Sequence, residues 1–276
     1  MEIKAADVKA LRDATGAGMM ECKNALVECK GDAAAATKLL KEKGLAAVEK
    51  RAGRSTSEGR IFIKEQGSKI AIAELTCETD FVAKNADFLK VGETIVGEVL
   101  AKGYTAVNEA LSNMLLDLAT KIRENMSVRR IELVDVPAGA VAAHYVHSDG
   151  KTGVITVLGC DPATNSPEVK QFAFDCCLHI AAFAPRYLKR DDVDAAYIAE
   201  QKEIFTAQTA ELNKPDNVKA GIVQGKLNKH LADICFMDQM FVKDDKVSVA
   251  KKMEQVGKDA GTKLTLLKVV NFQLGA

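Results

Sequence analysis

Residues 1–45 carry apolar side chains at the spacing of three short helices. Those positions are Val8, Leu11 and Thr15, then Met19, Cys22, Leu26 and Cys29, then Ala33, Ala36, Leu39 and Leu40. Gly31 suits the end of the second helix and Asp32 the N-cap of the third, which we expect to end at Gly44. The pattern predicts a small three-helix domain over residues 1–45, with apolar surface left over for a docking partner.

Residues 46–58 lose this periodicity and are expected to form a linker. Between Lys41 and Arg54 there are five basic residues and two acidic ones, a net charge of +3. A charge run of this size is typical of a solvated surface, although it also suits contact with an anion or an acidic partner.

The remainder of the chain shows the same order of elements twice: two strands of alternating polarity, then helices, then a further strand. Strands are expected at 60–64, 69–75 and 127–133 in a first half, 59–138, and at 141–147, 153–160 and 263–273 in a second half, 139–276. This order predicts the α+β class, with a core of two similar halves behind the helical domain.

The second half contains an insertion, residues 191–234, that is rich in helix formers and poor in bulky apolar residues. Pro215 interrupts it near the middle, which favours two antiparallel helices with a narrow apolar seam. We expect a helical hairpin of the coiled-coil type that is available for a partner contact.

Composition narrows the possible classes. The chain has 276 residues, 47% of them hydrophobic and 28% charged, which is typical of a folded globular protein. Lys and Arg together number 38, as do Asp and Glu, so the formal charge is zero and a general nucleic-acid binder is disfavoured. The sequence has no run of about 18 consecutive apolar residues, so no membrane span is predicted. The first residues resemble no targeting peptide, so a cytoplasmic location is expected.

The sequence contains no known motif for binding a metal ion or a phosphate group. Seven cysteines occur without any Cys-x-x-Cys pair, which favours reduced, buried thiols. His144 and His147 would point to opposite faces of a strand, and Gly16-x-Gly18 lacks the third glycine of a dinucleotide loop. We expect no metal, no cofactor and no enzymatic activity.

One segment is unusual: the second predicted strand runs directly into Cys77-Glu78-Thr79-Asp80-Phe81-Val82-Ala83-Lys84-Asn85, in which acidic residues stand beside a large aromatic one. One interpretation is structural, with Thr79 as a helix cap and Phe81 as a core residue. The other is functional, with Asp80 and Phe81 presented outward on a rigid strand-to-helix corner.

Two motifs closely resemble the signatures of the elongation factor Ts family. The first is Leu11-Arg12-x-x-Thr15-Gly16-Ala17-Gly18-Met19-Met20-x-Cys22-Lys23-x-Ala25-Leu26, and the second is Glu74-Leu75-Thr76-Cys77-Glu78-Thr79-Asp80-Phe81-Val82-Ala83-Lys84. Weaker likeness continues at 145–147, 178–182 and 239–244, so the resemblance extends over nearly the whole chain.

The resemblance implies a guanine-nucleotide exchange factor that binds elongation factor Tu in its GDP form and speeds GDP release. It implies that Thr79, Asp80, Phe81 and Val82 approach the partner's magnesium and nucleotide site. It also implies a ubiquitin-associated-like N-terminal domain and further partner contacts, at Arg12, Met19, Met20 and His147. The hairpin at 191–234 would correspond to the family's coiled coil, which supports self-association of the complex in some members.

The chain departs from the family pattern at Thr76, where Asn is usual, at Met240, where Pro is usual, and at Arg123. Arg123 replaces the glycine of Lys-Ile-Gly-Glu-Asn and puts the geometry of that helix end in doubt.

Two other functions stay open at this level. An enzyme could use Cys77 as a nucleophile, although nearby carboxylates would raise its pKa. An RNA-binding or structural adaptor could use the helical domain and the basic linker.

Overall fold

The computed structural model describes residues 3–276 and has the α+β class predicted from the sequence. The chain divides into two compact units. The first comprises the residues up to Asp135 together with 146–153 and 272–276, and the second comprises 136–145 and 154–271. Within the described residues, no helix is both long and apolar enough to cross a membrane.

The first unit begins with three helices, α1 (Ala5–Thr15), α2 (Met19–Glu28) and α3 (Ala33–Arg51). Gly16 ends α1 in the left-handed conformation, and the Asp32 side chain caps α3 by accepting hydrogen bonds from two backbone amides. The expectation that α3 ends at Gly44 is wrong, because the helix continues through half of the predicted linker. Gly44 instead allows close contact, since a Cβ there would lie 2.4 Å from the side chain of Thr120.

A three-stranded antiparallel sheet follows, with the order β1 (Glu58–Gln66), β2 (Lys69–Cys77) and β3 (Met126–Asp135). Three helices lie between β2 and β3: α4 (Asp80–Ala83), α5 (Ala86–Lys102) and α6 (Glu109–Ile122). The central strand β2 is buried along nearly its whole length, and α5 and α6 pack on the sheet through a continuous apolar core. Thr76, one of the departures, is satisfied on β2 by a 2.8 Å hydrogen bond to the hydroxyl of Ser127.

A buried carboxylate joins this sheet to the last residues of the chain. Glu74 has no exposed surface and is bound by Arg129 and Arg130 from β3. The backbone amide of Gly275 donates to the same carboxylate at 3.0 Å, and Arg130 donates to the carbonyl of Gln273 at 2.8 Å. A charge removed from water is tolerated when its partners satisfy it, so this network holds 272–276 in the first unit.

The second unit contains the sheet β4 (Val141–Val146), β5 (Thr152–Asp161) and β8 (Lys263–Gln273), in that order. Between β5 and β8 lie α7 (Pro167–Phe183), α8 (Ala195–Thr209), α9 (Asp216–Ile234), the short pair β6 (Met240–Phe241) and β7 (Asp244–Ser248), and α10 (Val249–Asp259). The repeated order of two strands, helices and a strand is confirmed. The pair β6 and β7 was not predicted, because strands of two and five residues are too short to show a periodicity.

Helices α8 and α9 occupy most of the segment predicted as a helical hairpin. They contact each other through a small apolar cluster in which Phe205 of α8 packs against Leu227 and Leu231 of α9. A hydrogen bond of 2.9 Å joins the hydroxyl of Tyr197 to Nε2 of His230. That these helices act as a coiled coil stays a prediction.

His179 is completely buried on α7 and is held in one neutral tautomer. The backbone amide of Val242 donates to its Nδ1 at 3.1 Å, so the ring proton lies on Nε2, which donates to the side-chain oxygen of Gln239 at 2.9 Å. Burial lowers the pKa of His179 from its ordinary value, with the hydrogen bond to Gln239 acting weakly in the opposite direction.

Replacing Glu74 by alanine should strongly destabilise the protein, because Arg129 and Arg130 would lose their buried partner. We expect a loss of about 3–5 kcal/mol in the free energy of unfolding, measured by urea denaturation. A loss below about 1 kcal/mol would contradict the assignment of this network as a principal support.

Stability should fall in acid because of His179. Its pKa is lower in the folded chain than in the unfolded chain, so the unfolded state binds the extra proton first. The contribution is complete above the unfolded pKa of 6.5 and is lost as the pH falls from there through the folded value. Urea denaturation between pH 5 and 7 should show that His179→Gln removes part of this slope. An identical slope in both proteins would exclude His179 as its source.

Candidate partner-contact site

Phe81 is the most exposed large apolar side chain in the described part of the chain, with 83% of its surface accessible. It lies at the start of α4, directly after the buried strand β2. Burial of such a ring contributes about 1.5–3 kcal/mol, and that free energy is left for a partner that covers it. The interpretation of Phe81 as a core residue is therefore wrong, and the outward-facing corner is what the structure contains.

Three other residues of the corner have separate structural roles: Thr79 caps the helix, Val82 is buried and Asp80 carries a charge. The hydroxyl of Thr79 accepts from the amide of Val82 at 3.4 Å, which confirms Thr79 as a helix cap. Val82 is only 7% exposed and packs into the core of the first unit, so it anchors the turn from inside. Asp80 is half exposed and forms an ion pair of 2.7 Å with Lys84, whose hydrogen bond holds the pKa of Asp80 below its usual value.

Glu124 supports the corner from the loop between α6 and β3. Its carboxylate accepts hydrogen bonds from the backbone amides of Glu78 and Thr79, both at 3.1 Å, and from the hydroxyl of Thr79 at 2.6 Å. Hydrogen bonds to a charged acceptor are stronger than neutral ones, so one carboxylate fixes the direction in which the chain leaves β2.

Asn125 extends the same support to the residues after α3. Its backbone amide donates to the carboxylate of Glu78 at 2.6 Å, and its side-chain amide donates to the backbone carbonyls of Ala52 and Arg54. Arg54 also lies 3.4 Å from the carboxylate of Glu78. The C-terminal end of the predicted linker is thereby attached to the corner.

Cys77 is not suited to be a nucleophile. It is buried at the end of β2, and burial, together with the charges of Glu124 and Glu58, raises its pKa to about 12. At neutral pH the thiol is almost entirely protonated, which removes the basis for the Cys77 enzyme hypothesis. Within residues 3–276, no three His, Cys, Asp or Glu side chains are grouped so that they could hold a metal ion.

His147 lies in the turn after β4, which the structure places beside the start of β1. Gly150 in this turn accepts a hydrogen bond from the amide of Ile61, and Lys151 forms an ion pair of 2.8 Å with Glu58. This ion pair raises the pKa of Lys151, with smaller contributions from the charges of Asp149 and Asp80. Nδ1 of His147 lies 3.1 Å from the carboxylate of Asp149.

The three candidate residues of the N-terminal helices are exposed. Met19 and Met20, at the start of α2, are 44% and 65% accessible, and Arg12 lies exposed on α1. Glu21, the next residue of α2, accepts from the amide of Gly18 and forms an ion pair with Arg123 at the end of α6.

Arg123 has the left-handed backbone conformation, with φ of 68°, that a glycine would adopt without strain. This conformation costs a side-chain-bearing residue roughly 1–2 kcal/mol. Its ion pair with Glu21 has both side chains about half exposed, and such pairs contribute only about 0–1 kcal/mol. Arginine is therefore accommodated at this helix end in the left-handed conformation, and its side chain contacts α2.

The sequence analysis did not identify Glu124 and Asn125 as residues of this site. Their position in the segment Lys121-Ile122-Arg123-Glu124-Asn125 was a signal, but nothing in the sequence shows that this segment lies beside Thr79. The two sites are more than 40 residues apart in the chain, and only the pairing of β2 with β3 brings them together.

Comparison with known proteins finds relatives along the whole chain. The family model described as elongation factor TS matches residues 78–276. Proteins called elongation factor Ts match from end to end. The Treponema denticola protein is 62% identical over 279 residues, which cover 100% of this chain and 99% of that protein. The protein from Treponema pallidum is 54% identical, covering 100% and 99%, and that from Borrelia hermsii is 39% identical, covering 100% of each. The chain belongs to the elongation factor Ts family.

Replacing Glu124 by alanine should loosen the corner while leaving the sheet intact. Removing the acceptor leaves the amides of Glu78 and Thr79 without their partner, at a local cost of about 1–3 kcal/mol. Hydrogen–deuterium exchange should become faster in peptides covering 77–84 and stay unchanged in those covering 93–100 of α5. Unchanged exchange at 77–84 would show that Glu124 does not hold the corner.

Proposed function

We propose that this protein is a guanine-nucleotide exchange factor of translation elongation, and that its partner is elongation factor Tu. It binds the GDP form of that partner and promotes GDP release so that GTP can enter. The single observation that carries this proposal is the largely exposed ring of Phe81 on a corner held by Glu124. Such a factor acts by binding in the cytoplasm and is not an enzyme in the usual sense, because no covalent bond changes.

The thermodynamic basis is reciprocal linkage. A protein that binds the nucleotide-free partner more tightly than the GDP-bound partner must weaken GDP binding by the same factor. The binding surface therefore has to fit a conformation of the partner in which the nucleotide site is disturbed. A rigid surface does this better than a flexible one, because it does not adapt to the GDP-bound shape.

In this proposal Phe81 acts as an apolar wedge and Asp80 as an adjacent charge. The ring displaces a partner side chain beside the loop that holds magnesium, and the carboxylate disturbs the ligands of the ion. Magnesium is the largest local charge in such a site, so its loss leaves the phosphates of GDP less well held. Lys84 keeps Asp80 oriented before binding through their 2.7 Å ion pair. Thr79 and Val82 contribute by fixing the corner.

The other proposed contacts lie outside the corner. Arg12, Met19 and Met20 offer a mixed apolar and basic surface, which suits docking of residues 1–45 on the nucleotide-binding domain of the partner. His147 and its turn extend the surface around Asp80. Residues 191–234 are proposed as a coiled coil through which complexes self-associate.

The alternative of an RNA-binding adaptor is less favoured by the structure. Five basic residues lie between Lys41 and Arg54. Of these, Arg51 is buried, and Lys43 and Arg54 form ion pairs with Glu28 and Glu78. Few of these charges are left for phosphates, so strong salt-dependent RNA binding is not expected.

Replacing Phe81 by alanine should reduce catalysed GDP release at least tenfold without destabilising the fold, because the ring makes little contact within the chain. Stopped-flow release of fluorescent GDP from elongation factor Tu measures this effect. A matched control is Leu267→Ala, which removes another half-exposed apolar side chain, on β8, and should release GDP at the wild-type rate. Equal rates for wild type and Phe81→Ala would refute the wedge.

A further inference from the structure

Three consecutive residues after α6 connect three separate segments of the first unit. Arg123 binds Glu21, the residue next to Met20 on α2. Glu124 binds the corner at Thr79, and the side chain of Asn125 binds the backbone after α3. The two proposed contact surfaces, Met19 with Met20 and the Phe81 corner, are thereby attached to neighbouring residues of one short loop.

This loop has a firm base. Helix α6 carries Leu111, Leu115 and Leu118 into the buried core, and its last turn ends in the amide of Arg123 donating to Ala119 at 3.0 Å. Strand β3 begins immediately afterwards at Met126, paired with β2. The loop therefore has little freedom of its own, and side chains that bind to it are held relative to one another.

The stability of the fold does not explain an arginine at position 123. Glycine adopts this left-handed conformation without strain, and the exposed ion pair with Glu21 repays at most a small part of the strain. What the arginine side chain adds is the ion pair with Glu21, which binds α2 to the loop that also carries Glu124.

We propose that Arg123 is a positioning residue that couples the Met19 and Met20 surface to the Phe81 corner, so that both engage the partner in one encounter. This inference rests on the exchange function proposed above. The physical reason is that, once one of two linked contacts has formed, the second forms at an effective concentration set by the link. A rigid link avoids the entropic cost of ordering the second contact after the first.

The coupling has a direct structural test that needs no partner. Spin labels attached through ketone-bearing amino acids at the exposed positions Lys9 on α1 and Lys90 on α5 report the distance between the helical domain and the sheet. Double electron–electron resonance should give a narrow distance distribution in the otherwise native chain and a clearly broader one with Arg123→Gly. An unchanged width would overturn the proposal.

The functional test compares the effect of Arg123→Gly on GDP release in the native chain and in a chain that lacks the Met19 and Met20 side chains. In the native chain, Arg123→Gly should lower kcat/KM for GDP release from elongation factor Tu about threefold, the size that an exposed ion pair allows, while the unfolding temperature stays equal or rises. With Met19 and Met20 both replaced by alanine, the same change should leave kcat/KM unchanged, because no second contact is left to couple. A threefold effect that persists in that background would overturn the proposal and show that Arg123 acts on the corner alone.

A matched control is Lys43→Ala, which breaks an ion pair of similar exposure between α3 and α2, inside the helical domain. It should change neither the distance distribution nor kcat/KM, and a loss as large as that of Arg123→Gly would contradict a specific role for Arg123. If the native chain did not accelerate GDP release at all, the exchange function would fail. The distance measurement would still decide whether Arg123 holds the two surfaces together.

Discussion

The carboxylate of Glu124 is the interaction on which the candidate site depends. It holds two backbone amides and one hydroxyl at the point where β2 turns into α4. The chain therefore leaves β2 in a fixed direction, and the ring of Phe81 that follows lies in solvent.

The position of that carboxylate follows from the sheet. Strands β2 and β3 run antiparallel, so the end of β2 at Cys77 lies beside the start of β3 at Met126. Residues that precede β3 are thus brought next to residues that follow β2. The packing of α3 against α6, through Gly44 and Thr120, brings the helical domain to the same loop, so that Arg123 contacts α2 and Asn125 contacts the end of α3. The residues of this loop therefore both pack the first unit and support the proposed contact surfaces.

Much of the fold was predictable because its signals are local. The period of two in the strands, the glycine at Gly67 and the cap at Asp32 act within a few residues, and the structure agrees with each of them. Gly44 was misleading for the opposite reason. A glycine inside a helix can mark either a stop or a close contact, and the contact with Thr120 of α6 is not visible from the flanking residues. The same limit applied to Phe81, since a ring at a strand-to-helix corner is equally compatible with core and surface.

The sequence by itself determined the α+β class, the repeated order of strands and helices, and, through two long motifs, the family. These features depend on neighbouring residues or on ordered strings of residues. Only the tertiary structure decided that Thr79 caps a helix while Phe81 faces solvent, that Val82 faces the core, and that Glu124, Asn125 and Arg123 support the site. The physical reason is that hydrogen bonds and ion pairs act over about 3 Å in space, and residues 45 to 102 positions apart in the chain meet only in the folded protein.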